Sequence, residues 1–196
     1  MKRFFDLVLS SLVLIVLLPF LLIVALLILL DSGFPVFFVQ ERVGLNGKCF
    51  SLYKFRTMSL LAGSEKGSFD AGNSSRVTRI GKWLRRAKID EWPQFFNVLK
   101  GDMSIVGPRP EVKRWTAVYP QRWEVVHKVK PGITDNASLL FRNEEEILSA
   151  SPSPEETYRH EILPAKLDLY IKYVNRHSFF SDVSIILKTA WAVLRR

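Results

Sequence analysis

Residues 7–30 read LVLSSLVLIVLLPFLLIVALLILL, an apolar run broken only by Ser10, Ser11 and Pro19. As one straight helix these 24 residues would reach roughly 36 Å, enough for the ~30 Å hydrocarbon core of a bilayer. The run is too long for a secretory leader, and Asp31-Ser32-Gly33-Phe34 lacks a small-x-small cleavage pattern. Pro19 removes the backbone donor to the Ile15 carbonyl and is expected to bend the helix near its midpoint. Lys2 and Arg3 precede the run, and Arg42, Lys48, Lys54 and Arg56 follow it. Both flanks are positive, so neither is favoured outside. A helix that enters, bends at Pro19 and returns to the same face satisfies both. The expectation is therefore a re-entrant membrane helix hairpin over residues 1–34 and a small cytosolic domain over 35–196. A kinked single span is the alternative.

Working outward, the whole chain has 196 residues, with 28 Lys+Arg against 19 Asp+Glu and a net charge of +9. That is one domain with an appendage, and the charge calls for an anionic partner: nucleic acid, membrane surface or a phosphorylated substrate. The apolar run makes nucleic acid the poor choice. A lone Cys49 rules out an intrachain disulfide and fits a reducing compartment. His127, His160 and His177 are scattered, so a zinc cluster is not expected.

The second informative stretch is Leu84–Pro110, LRRAKIDEWPQFFNVLKGDMSIVGPRP. Asp90 suits an N-cap, Pro93 a first helical turn, and Phe95, Phe96, Val98 and Leu99 an apolar face, with Lys100-Gly101 as the stop. A helix dipole would favour an ionised carboxylate there, and nearby N–H groups could hold phosphate. In Gly107-Pro108-Arg109-Pro110 the prolines fix the backbone around Arg109, whose guanidinium suits a phosphate oxygen. Asp before a helix is commonly only a cap, and Arg85-Arg86 commonly a solvated face. Their conjunction behind a membrane segment favours chemistry on a phosphate.

Residues 36–39 and 49–55 read as strands joined by a reversal at Leu45-Asn46-Gly47-Lys48. Lys54 and Arg56, two apart, are expected on one side of the second strand, where they could grip phosphate or form an ordinary exposed face. Residues 59–75 read as a mobile surface loop. Residues 76–87 form a basic amphipathic helix with Ile80, Trp83, Leu84 and Ala87 on one face. A helix over 111–119 is expected to break at Pro120. Glu144-Glu145-Glu146 reads as a solvated helix face, and Ser153-Pro154-Glu155-Glu156 as a capping box. The helix after it, kinked by Pro164, runs to about Asn175. The last, over 179–194, shows a wide apolar stripe that suits a lipid surface as well as a core. The fold class expected is α+β, mostly helical, with the membrane hairpin, a short β-hairpin and amphipathic interfacial helices around the cytosolic domain.

Together these segments resemble the small monotopic phosphoglycosyl transferases, bacterial enzymes that move a sugar phosphate from a nucleotide sugar to polyprenyl phosphate. The resemblance rests on Lys2-Arg3-Phe4-Phe5-Asp6, Pro19, Gln40-Glu41-Arg42-Val43-Gly44, Lys54-Phe55-Arg56-Thr57-Met58, Arg85-Arg86, Asp90-Glu91, Gln94 through Pro110, Lys130-Pro131-Gly132-Ile133-Thr134, and Tyr173-Val174 with Ser178 and Asp182. It implies that Asp90 is the nucleophile, Glu91 its partner and Mg²⁺ ligand, and Pro19 the break in the re-entrant helix. It further implies basic positions around the phosphates at Lys54, Arg56, Arg85 and Arg109. The implied partners are a UDP-sugar, polyprenyl phosphate (undecaprenyl phosphate as the expected acceptor) and membrane lipid, with no nucleic acid and room for a homodimer. The implied place is the cytosolic face of a bacterial plasma membrane, at the first membrane step of a glycoconjugate pathway.

Three departures from the resembled pattern stand out: Leu18 where Ser usually precedes the helix-breaking proline, Asp135-Asn136-Ala137-Ser138 after the Pro-Gly-Ile-Thr turn, and Tyr170 where an aspartate is usual, with Asp168 two residues earlier. Two rival classes remain at this point. A non-enzymatic basic module that docks on anionic lipid explains the charge but not the Asp-Glu pair. A metal-dependent phosphohydrolase would use water in place of the lipid acceptor.

Overall fold

A computed structural model of the chain describes residues 1–59 and 76–195, with the side chain of Leu194 left aside. The expected mobile loop over 59–75 lies, apart from Ser59, outside the described residues. The first helix, α1 (Lys2–Ser32), runs without interruption through Pro19. It is one helix and not two separate arms. Proline withdraws one hydrogen bond and crowds one carbonyl, which a long helix can absorb and continue. α1 is long and apolar enough to cross a membrane by length and composition, and it is the one such helix among the described residues.

Both ends of α1 are fastened to the same body. At its start, the Arg3 guanidinium donates to the Val98 and Leu99 carbonyls at 2.6 and 3.0 Å. Asp6 accepts from the Ser104 hydroxyl at 2.8 Å and the Ile105 N–H at 3.2 Å. Lys2 reaches the Val106 carbonyl and Asp182. At its end, Arg56 donates to the Ser32, Gly33 and Phe34 carbonyls. Between these anchors Asp6, Ser10, Leu14, Leu21, Val24 and Ile28 form the buried stripe. Ile15, Val16, Leu18, Phe20, Leu22 and Ile23 are each more than half exposed. An apolar face left bare on this scale is unusual for a helix bathed in water.

The β-hairpin follows as expected. β1 (Phe37–Val43) pairs antiparallel with β2 (Cys49–Phe55) around a 3₁₀ turn at Leu45–Gly47. α2 (Arg79–Ala87), capped by the Thr78 side chain, buries Leu84 while Trp83 stays half exposed. α3 (Gln94–Lys100) ends at Gly101, whose φ of 93° is the left-handed stop expected there. β3 (Ser104–Val106) pairs in parallel with β4 (Gly132–Thr134). Sequence pattern missed this pair, because three-residue strands carry too little alternation. It needs Gly132, where a Cβ would sit 2.1 Å from the Gly107 nitrogen.

The remaining chain is helical: α4 (Lys113–Thr116), α5 (Pro120–Val126), α6 (Asn136–Leu140), α7 (Glu144–Ala150), α8 (Pro154–Thr157), α9 (Leu163–Arg176) and α10 (Phe179–Leu194). Pro120 opens α5 instead of merely ending the helix before it. Ser153 makes no side-chain cap, whereas Ser178 and Ser181 form a reciprocal capping box at α10. Pro164, expected to kink a helix, falls in the first turn of α9, directly after a π-helical turn at Tyr158–Ile162. Three apolar clusters hold the body together: one under α1 against Phe55, Leu84 and Ile89; one around Leu52, Val98, Met103 and Tyr173; and one of Trp115, Trp123, Leu163, Leu167 and Tyr170 among α4–α9. The result is a mostly helical fold with a small β-hairpin region and one apolar N-terminal helix.

Candidate active site

Lys88, in the left-handed conformation at φ 58°, ends α2 and starts the 3₁₀ turn Ile89–Glu91. Trp92 and Pro93 are also helical, so the backbone coils from Ile89 into α3. Asp90 is therefore inside a helical turn and does not cap α3, whose N-cap position is Pro93. The expected dipole argument lapses, and the carboxylates owe their states to their neighbours.

Glu91 is clamped through both oxygens. Its Oε1 accepts from Lys54 Nζ at 3.0 Å, its Oε2 from Arg109 Nη1 at 3.0 Å, and Arg109 Nη2 closes a bidentate pair. Burial alone would raise the Glu91 carboxyl, but Arg109 and Lys54 hold it well below the usual carboxylate range. Arg109 is correspondingly pushed up by Glu91, while burial lowers Lys54 against the pull of the same carboxylate. This bidentate clamp is the geometry in which a guanidinium is strongest.

Asp90, its neighbour, is the opposite case. It is 8% exposed, and its Oδ1 is buried without a hydrogen-bond partner. Burial first, and then the charge of Glu91, push its pKa from 3.8 up to about 6, with Lys54, Lys88 and Arg85 opposing. A carboxylate with a desolvated, unpartnered oxygen is a better nucleophile than a solvated one.

Lys54, Glu91 and Arg109 thus meet beside Asp90, and Arg85 stands close enough to act on its charge while reaching Glu145 at 3.4 Å. Arg56 does not join them. β2 ends at Phe55, and Arg56, 4% exposed, turns to the end of α1. Pro19 lies in the exposed middle of α1. Behind Arg109 lies a group that sequence reasoning missed. Glu111 accepts from Arg42 at 3.0 Å and from the Tyr158 hydroxyl at 2.6 Å, and Arg42 also donates to the Pro110 carbonyl at 3.1 Å. Lys166 pairs with Glu144 and sits 5.1 Å over the Tyr158 ring. Glu144 is therefore not simply solvated. Asp168 points away, highly exposed and paired with Arg122. Tyr170 is buried beside this group, its hydroxyl pushed well up by burial and by the charges of Asp135 and Glu111.

A family profile described as bacterial sugar transferase matches residues 1–196. The chain belongs to this family of enzymes. It is 37% identical over 194 residues to the UDP-glucose:undecaprenyl-phosphate glucose-1-phosphate transferase of Klebsiella pneumoniae, covering 97% of this chain and 39% of that protein. It is 33% identical to the undecaprenyl-phosphate galactose phosphotransferase of Salmonella typhimurium, covering 100% of this chain and 41% of that protein. To the uncharacterized sugar transferase EpsL of Bacillus subtilis it is 39% identical, covering 99% of this chain and 87% of that one. The chain spans about two fifths of the length of the first two relatives.

The resemblance noted in the sequence implies a divalent cation, and carboxylate donors suit a hard one. Among the described residues there is no group of three or more His, Cys, Asp or Glu side chains poised to hold a metal. Mg²⁺, however, commonly takes only one or two carboxylates and completes its shell with water and substrate phosphate. Glu91, with one acceptor position left on Oε2, and the unpartnered Asp90 oxygen are two such hard donors on adjacent residues.

Proposed function

We propose that this chain transfers a sugar phosphate from a UDP-sugar to polyprenyl phosphate, releasing UMP, through a covalent phosphosugar on Asp90. The observation that carries the reading is the contrast within one dipeptide: Glu91 fully neutralised by Lys54 and Arg109, Asp90 buried with an oxygen left free. Family membership supplies the class of reaction.

In the first step an Asp90 oxygen attacks the sugar-bearing phosphorus. The bond from that phosphorus to the UMP oxygen breaks, and the sugar phosphate becomes esterified to the carboxylate. In the second, a phosphate oxygen of the polyprenyl acceptor attacks the same phosphorus. The Asp90–phosphorus bond breaks, giving the polyprenyl diphosphosugar and free carboxylate. Splitting the transfer lets one small site serve a soluble donor and a lipid acceptor in turn. Arg109, Lys54 and Arg85 hold the phosphate charges. Glu91 fixes the first two of these and, with Asp90, would hold Mg²⁺. That ion supplies charge neutralisation of the diphosphate and a better leaving group.

Residues 1–34 would embed the protein from the cytosolic face of the bacterial plasma membrane, with 35–196 as the catalytic domain. The bare faces of α1 support this, as do the exposed Trp83, Leu187 and Trp191, which suit headgroup depth. On this reading α1, bent at Pro19 but unbroken, dips into one leaflet and returns, since both its ends are tied to one body. Release of UMP from a panel of UDP-sugars, with and without polyprenyl phosphate, tests the proposal. Acceptor-dependent turnover is expected. Steady turnover without acceptor would mean a hydrolase, and no release with any donor would leave a docking module.

A further inference from the structure

We infer that Gln94 is a substrate-binding residue of this site, its side-chain amide donating to a non-bridging oxygen of the phosphoryl group that Asp90 engages. The inference rests on the reaction proposed above for its assignment to phosphate, but on separate atoms for its evidence. Gln94 is 1% exposed, and its Nε2 is buried with no hydrogen-bond partner. A buried amide donor left unpaired is costly and is rarely kept without a reason. Asp90 carries the other orphan of this segment, at Oδ1.

The two are four residues apart along backbone that is helical from Ile89 to Lys100, so they stack on one face, one turn apart. That face is the one turned to β2. One turn further on, Asn97 donates to the Ser51 carbonyl at 2.7 Å and accepts from the Tyr53 N–H at 3.1 Å. Asn97 spends its amide on the fold, and Gln94 does not. A free donor and a free carboxylate oxygen one helical turn apart are complementary to one ligand lying between them, a phosphoryl group whose phosphorus faces the carboxylate and whose oxygen faces the amide.

The test is Gln94→Met, which keeps the shape of the side chain and removes its polar end, with Gln94→Leu as a second variant. Both are made in the full chain in detergent. If the amide is reserved for ligand, removing it relieves an unpaired buried group, and the melting temperature should hold or rise by about 2–4 °C. At the same time kcat/KM for UMP release should fall about 30- to 1000-fold. Stabilisation of the fold by inorganic pyrophosphate, read as the rise in melting temperature, should shrink in both variants; this reads the phosphate contact whether or not turnover is seen. Equal pyrophosphate shifts in wild type and variants would overturn the inference. So would unchanged kcat/KM, or a melting temperature that falls in step with activity. Absence of turnover in the wild type, with pyrophosphate shifts that still differ, would instead refute the proposed reaction and leave the phosphate contact standing.

Discussion

Two buried polar clusters flank β3, and they are built on opposite rules. At the start of α1, Asp182 accepts from Lys2 and from the Tyr173 hydroxyl at 2.8 Å, Tyr173 also reaches the Val106 carbonyl at 3.1 Å, and both Asp6 oxygens are used. Both acidic side chains there have partners, so the cluster fastens a helix. Past the other end of β3, Arg109 clamps Glu91 while Asp90 and Gln94 each keep a buried atom without a partner. Single unpartnered buried atoms also occur at Ser10, Arg56 and Trp123, so what sets the second cluster apart is a buried carboxylate with a free oxygen beside one that is clamped.

The comparison breaks most sharply at Asp90. Asp90→Asn should lower turnover by at least about a thousandfold, since it removes the attacking oxygen's charge. It should also stabilise the fold at neutral pH. The sign follows from the raised folded pKa, which makes the native state bind the proton more tightly than the unfolded chain between pH 3.8 and about 6. Stability from this group is therefore lost as pH rises through that window. At about 1.4 kcal/mol per tenfold change in proton affinity, a rise from 3.8 to about 6 comes to about 3 kcal/mol. Kinetics and thermal melting on the same sample check both halves. An unstable or active variant would put Asp90 in the architectural class.

Arg109→Ala should lower kcat/KM about a hundredfold and cost about 1.5–3 kcal/mol, because Glu91 keeps Lys54 but loses a bidentate, charge-assisted pair. The pH profile sharpens the same point. The first step needs Asp90 ionised, so the rate should climb tenfold per pH unit up to about 6 and level above it. A profile flat from pH 4.5 to 7 would contradict that. Asp182→Asn, in the satisfied cluster, should cost about 1–3 kcal/mol in a denaturation experiment and leave kcat of the folded fraction unchanged. Asp168→Ala should do least. Its exposed pair with Arg122 is worth about 0–1 kcal/mol, and activity should match wild type.

Much of this was legible in the chain. The apolar run gave α1, alternation and Asn46-Gly47 gave the hairpin, and the Asp-Glu pair with Pro-Arg-Pro marked residues that the fold brings together. What failed did so for local or long-range reasons. Arg56 was grouped with Lys54 by strand alternation, but the strand stops one residue short of it. Glu111 was not legible as a site residue because its partners lie 69 and 47 residues away, at Arg42 and Tyr158. Ser153-Pro154-Glu155-Glu156 has the letters of a capping box, yet the true one forms at Ser178 and Ser181, where only hydroxyls serve.

The central claim is that the Asp90 carboxylate bears the sugar phosphate between two half-reactions. Intact-protein and peptide mass spectrometry after acid quench, with UDP-sugar present and polyprenyl phosphate withheld, tests it directly. The account predicts a hexose-phosphate-class mass increment on the peptide containing Asp90, discharged when polyprenyl phosphate is added and missing in Asp90→Asn. Acceptor-dependent UMP release with no adduct at any quench time, or an adduct on another residue, would contradict it.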